Sequence, residues 1–133
     1  MAKPLPKITF ENEKYWAGLR EGKLLVQRCL SCHRLQFYPR FFCGQCYGRE
    51  LEWYETKGIG TIYTFTVIRR PPTEDFKDEV PYIIGLVELE EGVRIMARIV
   101  HVTPENCVVG LPVKLCQEYK DHDMVYPAFL PIN

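Results

Sequence analysis

The sequence shows no excess of charge of either sign: Lys and Arg together number 17, Asp and Glu number 17, and the formal net charge is zero. A polyanion therefore meets no global attractive field, which counts against a generic nucleic-acid binder. No apolar run approaches the ~20 residues that a membrane span needs, and the opening stretch "MAKPLPKITF" lacks the apolar centre of a signal peptide. Both absences predict a cytoplasmic protein. Internal repeats and low-complexity tracts are missing as well. With 133 residues there is no room for a multidomain enzyme, only for one compact domain or a small domain with an appendage. Hydrophobic residues at 47% and charged residues at 26% give an ordinary globular balance, which excludes wholesale disorder.

What the chain does have is cysteine in a pattern. The stretch "CLSCHRLQFYPRFFCGQC" places Cys29, Cys32, Cys43 and Cys46 in two C-x-x-C pairs with ten residues between them. A C-x-x-C turn directs both sulfurs to one side, and two such turns face to face supply the four tetrahedral thiolates that Zn²⁺ takes at about 2.3 Å. The local sequence has few aliphatics, so a metal would provide folding free energy that burial does not, on the order of 10 kcal/mol. Four protein ligands leave no open coordination position, so the spacing indicates a structural zinc rather than a catalytic one.

Other chemistries use the same ligands. A four-thiolate site also takes iron, as in rubredoxin, and ligand type alone does not separate the two metals. Gly44 stands where the second rubredoxin knuckle usually has proline, and Tyr47 where it usually has glycine, which favours zinc. A thioredoxin-like redox pair needs a strand and a long helix around the motif, and neither pair has them. Two disulfides would suit an oxidising compartment better than the cytosol. His33, next to Cys32, reads as a surface residue, since four cysteines already complete the site. Cys107 and Cys116 lie in apolar, strand-like contexts and read as core. His101 and His122 stand alone, with no nucleophile beside them, and suggest no triad.

Along the chain, residues 1–9 carry two prolines and predict an extended arm. In "NEKYWAGLREG" the spacing predicts a short helix capped by Asn12 and ended by Gly22, with Tyr15, Trp16 and Leu19 on one side. So short a helix does not stand alone in water, so its aromatic face must dock on its own domain or on a partner. The cysteine pairs lie between the short extended segments "LLVQRC", "LQFYPR" and "LEWYET". After "GIG" come runs rich in β-branched and aromatic residues, including "TIYTFTVIRR", "YIIGLVELEEGVRIMARIVHV" and "LPVKLCQEY". Gly92 marks a hairpin bend, "TPEN" a single helical turn, and a last strand falls near "MVYPAF". Five strands on so short a segment suit a small closed barrel of the OB type better than a sandwich. The expected fold is mainly β: an N-terminal arm and helix (1–23), a rubredoxin-like zinc ribbon (24–57) and a five-stranded OB-fold barrel (58–133).

In that order the segments resemble a family once known only as a domain of unknown function, small OB-fold proteins with an N-terminal rubredoxin-like zinc ribbon. The resemblance covers nearly the whole chain. "YWAGLREGKLLVQRC" is similar to the family's opening, "CLSCHRLQFYPRFFCGQC" to its ribbon core, "GIGTIYTFTVIRR" to its first barrel strand, "VPYIIGLVELEEGVRIMARI" to its central hairpin and "YPAFLP" to its ending. All four metal cysteines of the family pattern are present. The resemblance implies a non-catalytic accessory or scaffold subunit for a thiolase-fold condensing enzyme, of the acetoacetyl-CoA thiolase or hydroxymethylglutaryl-CoA synthase type.

For such a subunit acyl-CoA would be a shared ligand. A CoA site needs cations for the phosphates and an apolar or aromatic channel for the pantetheine arm. "YPRFFC" and "VIRRPP" supply both kinds of residue, which makes Arg40, Phe41, Phe42, Arg69 and Arg70 the candidate contacts. Packing of Phe41 and Phe42 between ribbon and barrel is the plainer use of those rings. The alternative is a nucleic-acid-binding OB-fold and zinc-ribbon protein, against which the acidic stretches "VELEEG" and "PPTEDFKDE" count. An independent enzyme lacks a clustered acid, base or nucleophile, so no catalytic residue is expected.

Overall fold

The computed structural model describes residues 8–71, 74, 77–121 and 124–132. Most of the expected N-terminal arm, and His122, lie outside the described residues. One helix, α1 (Glu13–Arg20), precedes strands β1 (Leu25–Cys29), β2 (Leu35–Gln36) and β3 (Leu51–Glu55). These form a three-stranded antiparallel sheet in the order β2-β1-β3. A closed barrel follows, built from β4 (Ile59–Ile68), β5 (Tyr82–Leu89), β6 (Arg94–Ile99), β7 (Pro112–Cys116) and β10 (Ala128–Pro131). The small ribbon β8 (Lys120–Asp121) and β9 (Met124–Val125) stands between its last two strands.

Around the barrel the order is β10-β6-β5-β4-β7, closed by pairing of β7 with β10. β6 and β10 run parallel, while β4–β5, β5–β6, β4–β7 and β7–β10 are antiparallel. This is a closed five-stranded OB-type barrel, as the strand pattern indicates. Burial alternates along β5, which places Ile83, Val87 and Leu89 inside. Ile62, Ile95, Val113 and Phe129 complete an interior almost without exposure. Gly60 makes the close approach of β4 to β5 possible, because a Cβ there would lie 2.3 Å from the Glu88 carbonyl oxygen. A register shift between Ile62 and Thr64 turns Tyr63 outward, and the Arg94 guanidinium lies over its ring at 3.8 Å.

The helix departs from expectation at one end only. Asn12 precedes α1 but makes no side-chain cap; its Oδ1 accepts from the Thr9 N–H at 2.7 Å and its Nδ2 donates to the Tyr38 hydroxyl at 3.1 Å. Competition from the chain entry and the ribbon loop has taken the side chain that a free helix would use. Gly22 closes the other end as expected: with φ at +81° it donates to Leu19 O, and Lys23 N–H reaches Gly18 O, the paired bonds of a Schellman ending. Gln117, from the segment after β7, donates to the carbonyls of Leu19 and Arg20 and so satisfies the last turn.

The aromatic face of α1 is consumed within the chain. Tyr15, Trp16 and Leu19 are all buried. Tyr15 meets Phe37 and Tyr38 of the ribbon, and Trp16 meets Tyr126 beside the barrel. Of the two docking possibilities for this helix, the structure adopts its own domain, which removes Trp16 as a partner-facing anchor. Residues 103–106, expected as one helical turn, form a hydrogen-bonded turn in which Asn106 and Cys107 N–H groups both donate to Thr103 O. The last barrel strand starts at Ala128, after "MVYP"; Met124 and Val125 pair with β8 instead.

Candidate metal centre

The two C-x-x-C turns are copies of each other. In the first, His33 N–H donates to Cys29 O at 2.8 Å and Cys29 N–H to Arg34 O at 2.9 Å. In the second, Tyr47 N–H donates to Cys43 O at 2.9 Å and Cys43 N–H to Gly48 O at 2.8 Å. Both turns force the residue after the second cysteine into the left-handed region, with φ at 66° for His33 and 63° for Tyr47. That conformation normally selects glycine, so both side chains are held there at a cost.

The result is a cluster in which the sulfurs of Cys29, Cys32, Cys43 and Cys46 all lie within 4.8 Å of one another. Cys29–Cys46 and Cys32–Cys43 approach to 3.5 and 3.6 Å, and none of the four is in a disulfide. A tetrahedron with metal–sulfur bonds of about 2.3 Å has edges of about 3.8 Å, so the four donors fit a Zn²⁺-sized centre with little adjustment. Backbone N–H groups already point at the sulfurs: Cys32 N–H lies 3.5 Å from Cys29 Sγ, and Gln45 N–H lies 3.4 Å from Cys43 Sγ. The Cys32 N–H holds the Cys29 thiol down at about 6, and the N–H groups of Cys46 and Gln45 lower Cys43. At Cys46 the Gly48 N–H also pulls downward, but the bond to Cys29 and burial outweigh it and leave the thiol at about 11.

The loop between the turns is held by two glutamines. Buried Gln27 on β1 accepts from the Arg40 N–H at 2.8 Å and donates to the Arg40 carbonyl at 2.9 Å. Gln36 on β2 donates to Gln27 Oε1 and to Phe42 O, and accepts from the Gly44 N–H. Neither glutamine carried a recognisable signal in the sequence; polar residues in short strands read as ordinary edge positions. Their effect is to fix "YPRFF" on the ribbon surface with Arg40, Phe41 and Phe42 exposed. Packing of these phenylalanines between ribbon and barrel is thereby excluded.

Arg40 also borders a cleft of about 600 Å³ between ribbon and barrel, opposite Arg94 and Val93. Arg94 is already engaged by Glu88 at 3.1 Å. Arg69 and Arg70, both exposed, follow the end of β4. The β4 residue facing Arg94 across β5 is Thr61, so eight residues of strand, about 25 Å, separate that end from the cleft. The structure brings Arg40, Phe41 and Phe42 together and leaves Arg69 and Arg70 apart from them.

Elsewhere, His33 is exposed, Cys107 is buried and Cys116 is half-buried; burial pushes both of these thiols up. His101, in the left-handed region with φ at 60°, bonds Glu118 at 2.5 Å on the surface. No described helix is long and apolar enough to cross a membrane.

Residues 16–52 match the family described as "ChsH2, rubredoxin-like zinc ribbon domain", and residues 53–118 match "ChsH2, C-terminal OB-fold domain". The chain belongs to this ChsH2 (DUF35) family. It is 37% identical over 102 residues to a DUF35 domain-containing scaffold protein of Methanocaldococcus jannaschii, covering 74% of this chain and 71% of that protein. It is 32% identical over 129 residues to a probable enoyl-CoA hydratase alpha subunit of Thermomonospora curvata, covering 97% of this chain. The chain spans 40% of that relative's length. Among solved structures, the Ltp2-ChsH2(DUF35) aldolase is similar over 96% of this chain and 98% of that one, with a TM-score of 0.86 and 31% identity. These comparisons correct one expectation. The expectation of a chain that is no enzyme is overturned by relatives named as hydratase alpha subunits, in Thermomonospora curvata and Mycobacterium tuberculosis, and by a structural relative named as an aldolase.

Proposed function

We propose that the chain is a subunit of an acyl-CoA enzyme assembly, which uses its zinc ribbon and OB barrel as a rigid platform beside a partner subunit. The observation that carries this reading is the likeness to the ChsH2(DUF35) aldolase, because it extends over ribbon, helix and barrel together. Relatives named as scaffold proteins and hydratase alpha subunits support the same class. For the partner, we propose a thiolase-fold condensing enzyme of the acetoacetyl-CoA thiolase or hydroxymethylglutaryl-CoA synthase type, in the cytoplasm. A compartment that keeps thiols reduced suits the four unpaired ribbon cysteines.

Cys29, Cys32, Cys43 and Cys46 hold one Zn²⁺ in this proposal, with a structural role, since residues 30–34 and 44–48 of the two turns bury no apolar side chain. The ion would supply the cross-link between the two turns that burial does not. Acyl-CoA is the proposed shared ligand, with Arg40 and the adjacent Phe41 and Phe42 as its contacts on the ribbon. Arg69 and Arg70 join them only for a ligand that reaches the opposite end of the barrel. The test is affinity purification of the tagged chain at native expression, followed by mass spectrometry. An acyl-CoA enzyme should come down in near-stoichiometric amount; recovery of none would overturn the reading.

A further inference from the structure

Exposed aromatic side chains gather on one module. Phe10 is 80% exposed and Phe41 58%, and their rings stack on each other, centroids 6.3 Å apart, at the wall of a groove of about 210 Å³. Leu51 and Trp53 of β3 line the groove with Gln27, and Arg40 and Arg49 outnumber the one carboxylate there, Glu11. Among the described residues neither arginine is in an ion pair, whereas Arg28, Arg94 and Arg98 each face a glutamate. Large exposed rings cost solvation and are rarely grouped on an inert surface. This group is also held in place: the Gln27 amide grips both backbone groups of Arg40, the residue before Phe41. A pre-formed site loses little freedom on binding, so the arrangement suits recognition better than packing.

Charge is divided in the same sense. Residues 1–57 carry ten Lys and Arg against six Asp and Glu, and residues 58–133 carry seven against eleven. The zero net charge of the chain thus conceals a basic ribbon half, still about +2 once four thiolates and one Zn²⁺ are counted, and an acidic barrel half. A partner drawn to the ribbon must present carboxylates, and it must offer an apolar side chain to the groove.

We propose that the Phe10–Phe41 groove is the docking surface for an acidic segment of the partner subunit, with one apolar side chain laid against the stacked rings and carboxylates against Arg40 and Arg49, so that the segment and acyl-CoA compete for Arg40 and Phe41. The inference rests on the enzyme-assembly reading above and adds to it the face and the chemistry. Interfaces of this kind concentrate binding in aromatic and arginine residues at the centre. A basic aromatic face also suits single-stranded nucleic acid, but the acidic barrel beside it disfavours a polyanion that must track along the molecule.

The experiment compares full-length Phe41→Glu, Arg49→Glu and Met96→Glu with wild type in retention of the co-purifying acyl-CoA enzyme. Met96, 65% exposed on the barrel, serves as the control. Zinc content and melting temperature verify that each variant is folded. At least a tenfold loss of retained enzyme is expected for Phe41→Glu and Arg49→Glu, with Met96→Glu unchanged and wild-type retention falling as salt is raised. Equal retention by all four proteins, or loss with Met96→Glu alone, would overturn the docking surface and leave the assembly reading standing. Wild type that recovers no acyl-CoA enzyme would remove both. Binding of a fluorescent single-stranded oligonucleotide by the free chain, abolished by Phe41→Glu, would assign the face to nucleic acid instead.

Discussion

Tyr15 and Trp16, adjacent on α1, meet edge to face at 5.0 Å and then point to different modules, Tyr15 to the ribbon and Trp16 to Tyr126 beside the barrel. One helical turn therefore couples the zinc-binding half of the chain to the barrel.

Trp16→Ala should lower stability by about 3–5 kcal/mol, the cost of emptying a large buried aromatic site. Thermal melts measure this. Because Trp16 is buried within the chain, partner affinity per folded molecule should stay unchanged. Trp16→Phe should cost less than Trp16→Ala, since among the described residues the indole Nε1 has no hydrogen-bond partner to lose.

Burial, assisted by the nearby Tyr38, raises the pKa of the Tyr15 hydroxyl far above its usual value. The unfolded chain then releases this proton first as pH rises, so the folded state binds more protons. The Tyr15 contribution is present in full below about pH 10 and is lost progressively above it, with a limiting slope of about 1.4 kcal/mol per pH unit. Denaturant titrations at pH 9 and pH 11 should show a smaller loss for Tyr15→Phe than for wild type.

Cys43→Ser should abolish stoichiometric zinc binding and unfold the ribbon while the barrel persists. Elemental analysis should change from about one Zn per chain to none. Two-dimensional NMR should retain dispersed amide signals for β5 and β6 and lose those for Cys29 to Tyr47. Wild type that is folded and metal-free would contradict the site.

His33→Gly should stabilise the holo protein by up to about 1 kcal/mol, because the left-handed conformation at φ 66° costs a non-glycine residue about that much. Melting in the presence of zinc reads the gain. Tyr47→Gly should gain less, since Tyr47 also lies against Phe42.

Gly60→Ala should destabilise the barrel by about 2–4 kcal/mol, because the new methyl would meet the backbone of Glu88 and Leu89 at distances that only strand separation relieves. Gly92→Ala would meet no atom within 4 Å, so its cost should be confined to the backbone strain of φ +91°. Chemical denaturation of the two variants side by side separates steric from conformational cost.

The sequence by itself determined the local features. Four cysteines at C-x-x-C spacing define two turns whatever surrounds them, because five-residue hydrogen-bonded loops depend on near neighbours only. Alternating apolar residues in "YIIGLVEL", and Gly92 at the bend, were legible as a hairpin for the same reason, and Gly22 as a helix ending. The tertiary structure alone decided relations between distant segments. Which way α1 would face depended on Phe37, Tyr38 and Tyr126, far along the chain, and no periodicity records a partner ring. Asn12 left its cap because Thr9 and Tyr38 outbid the helix end for one amide. Phe41 and Phe42 became surface rather than filler because Gln27 and Gln36, unremarkable in one dimension, hold the loop from beneath. Arg40 and Arg69 carry the same charge, yet the length of β4 sets them at opposite ends of the barrel; separation in space is a property of the closed sheet and not of either motif.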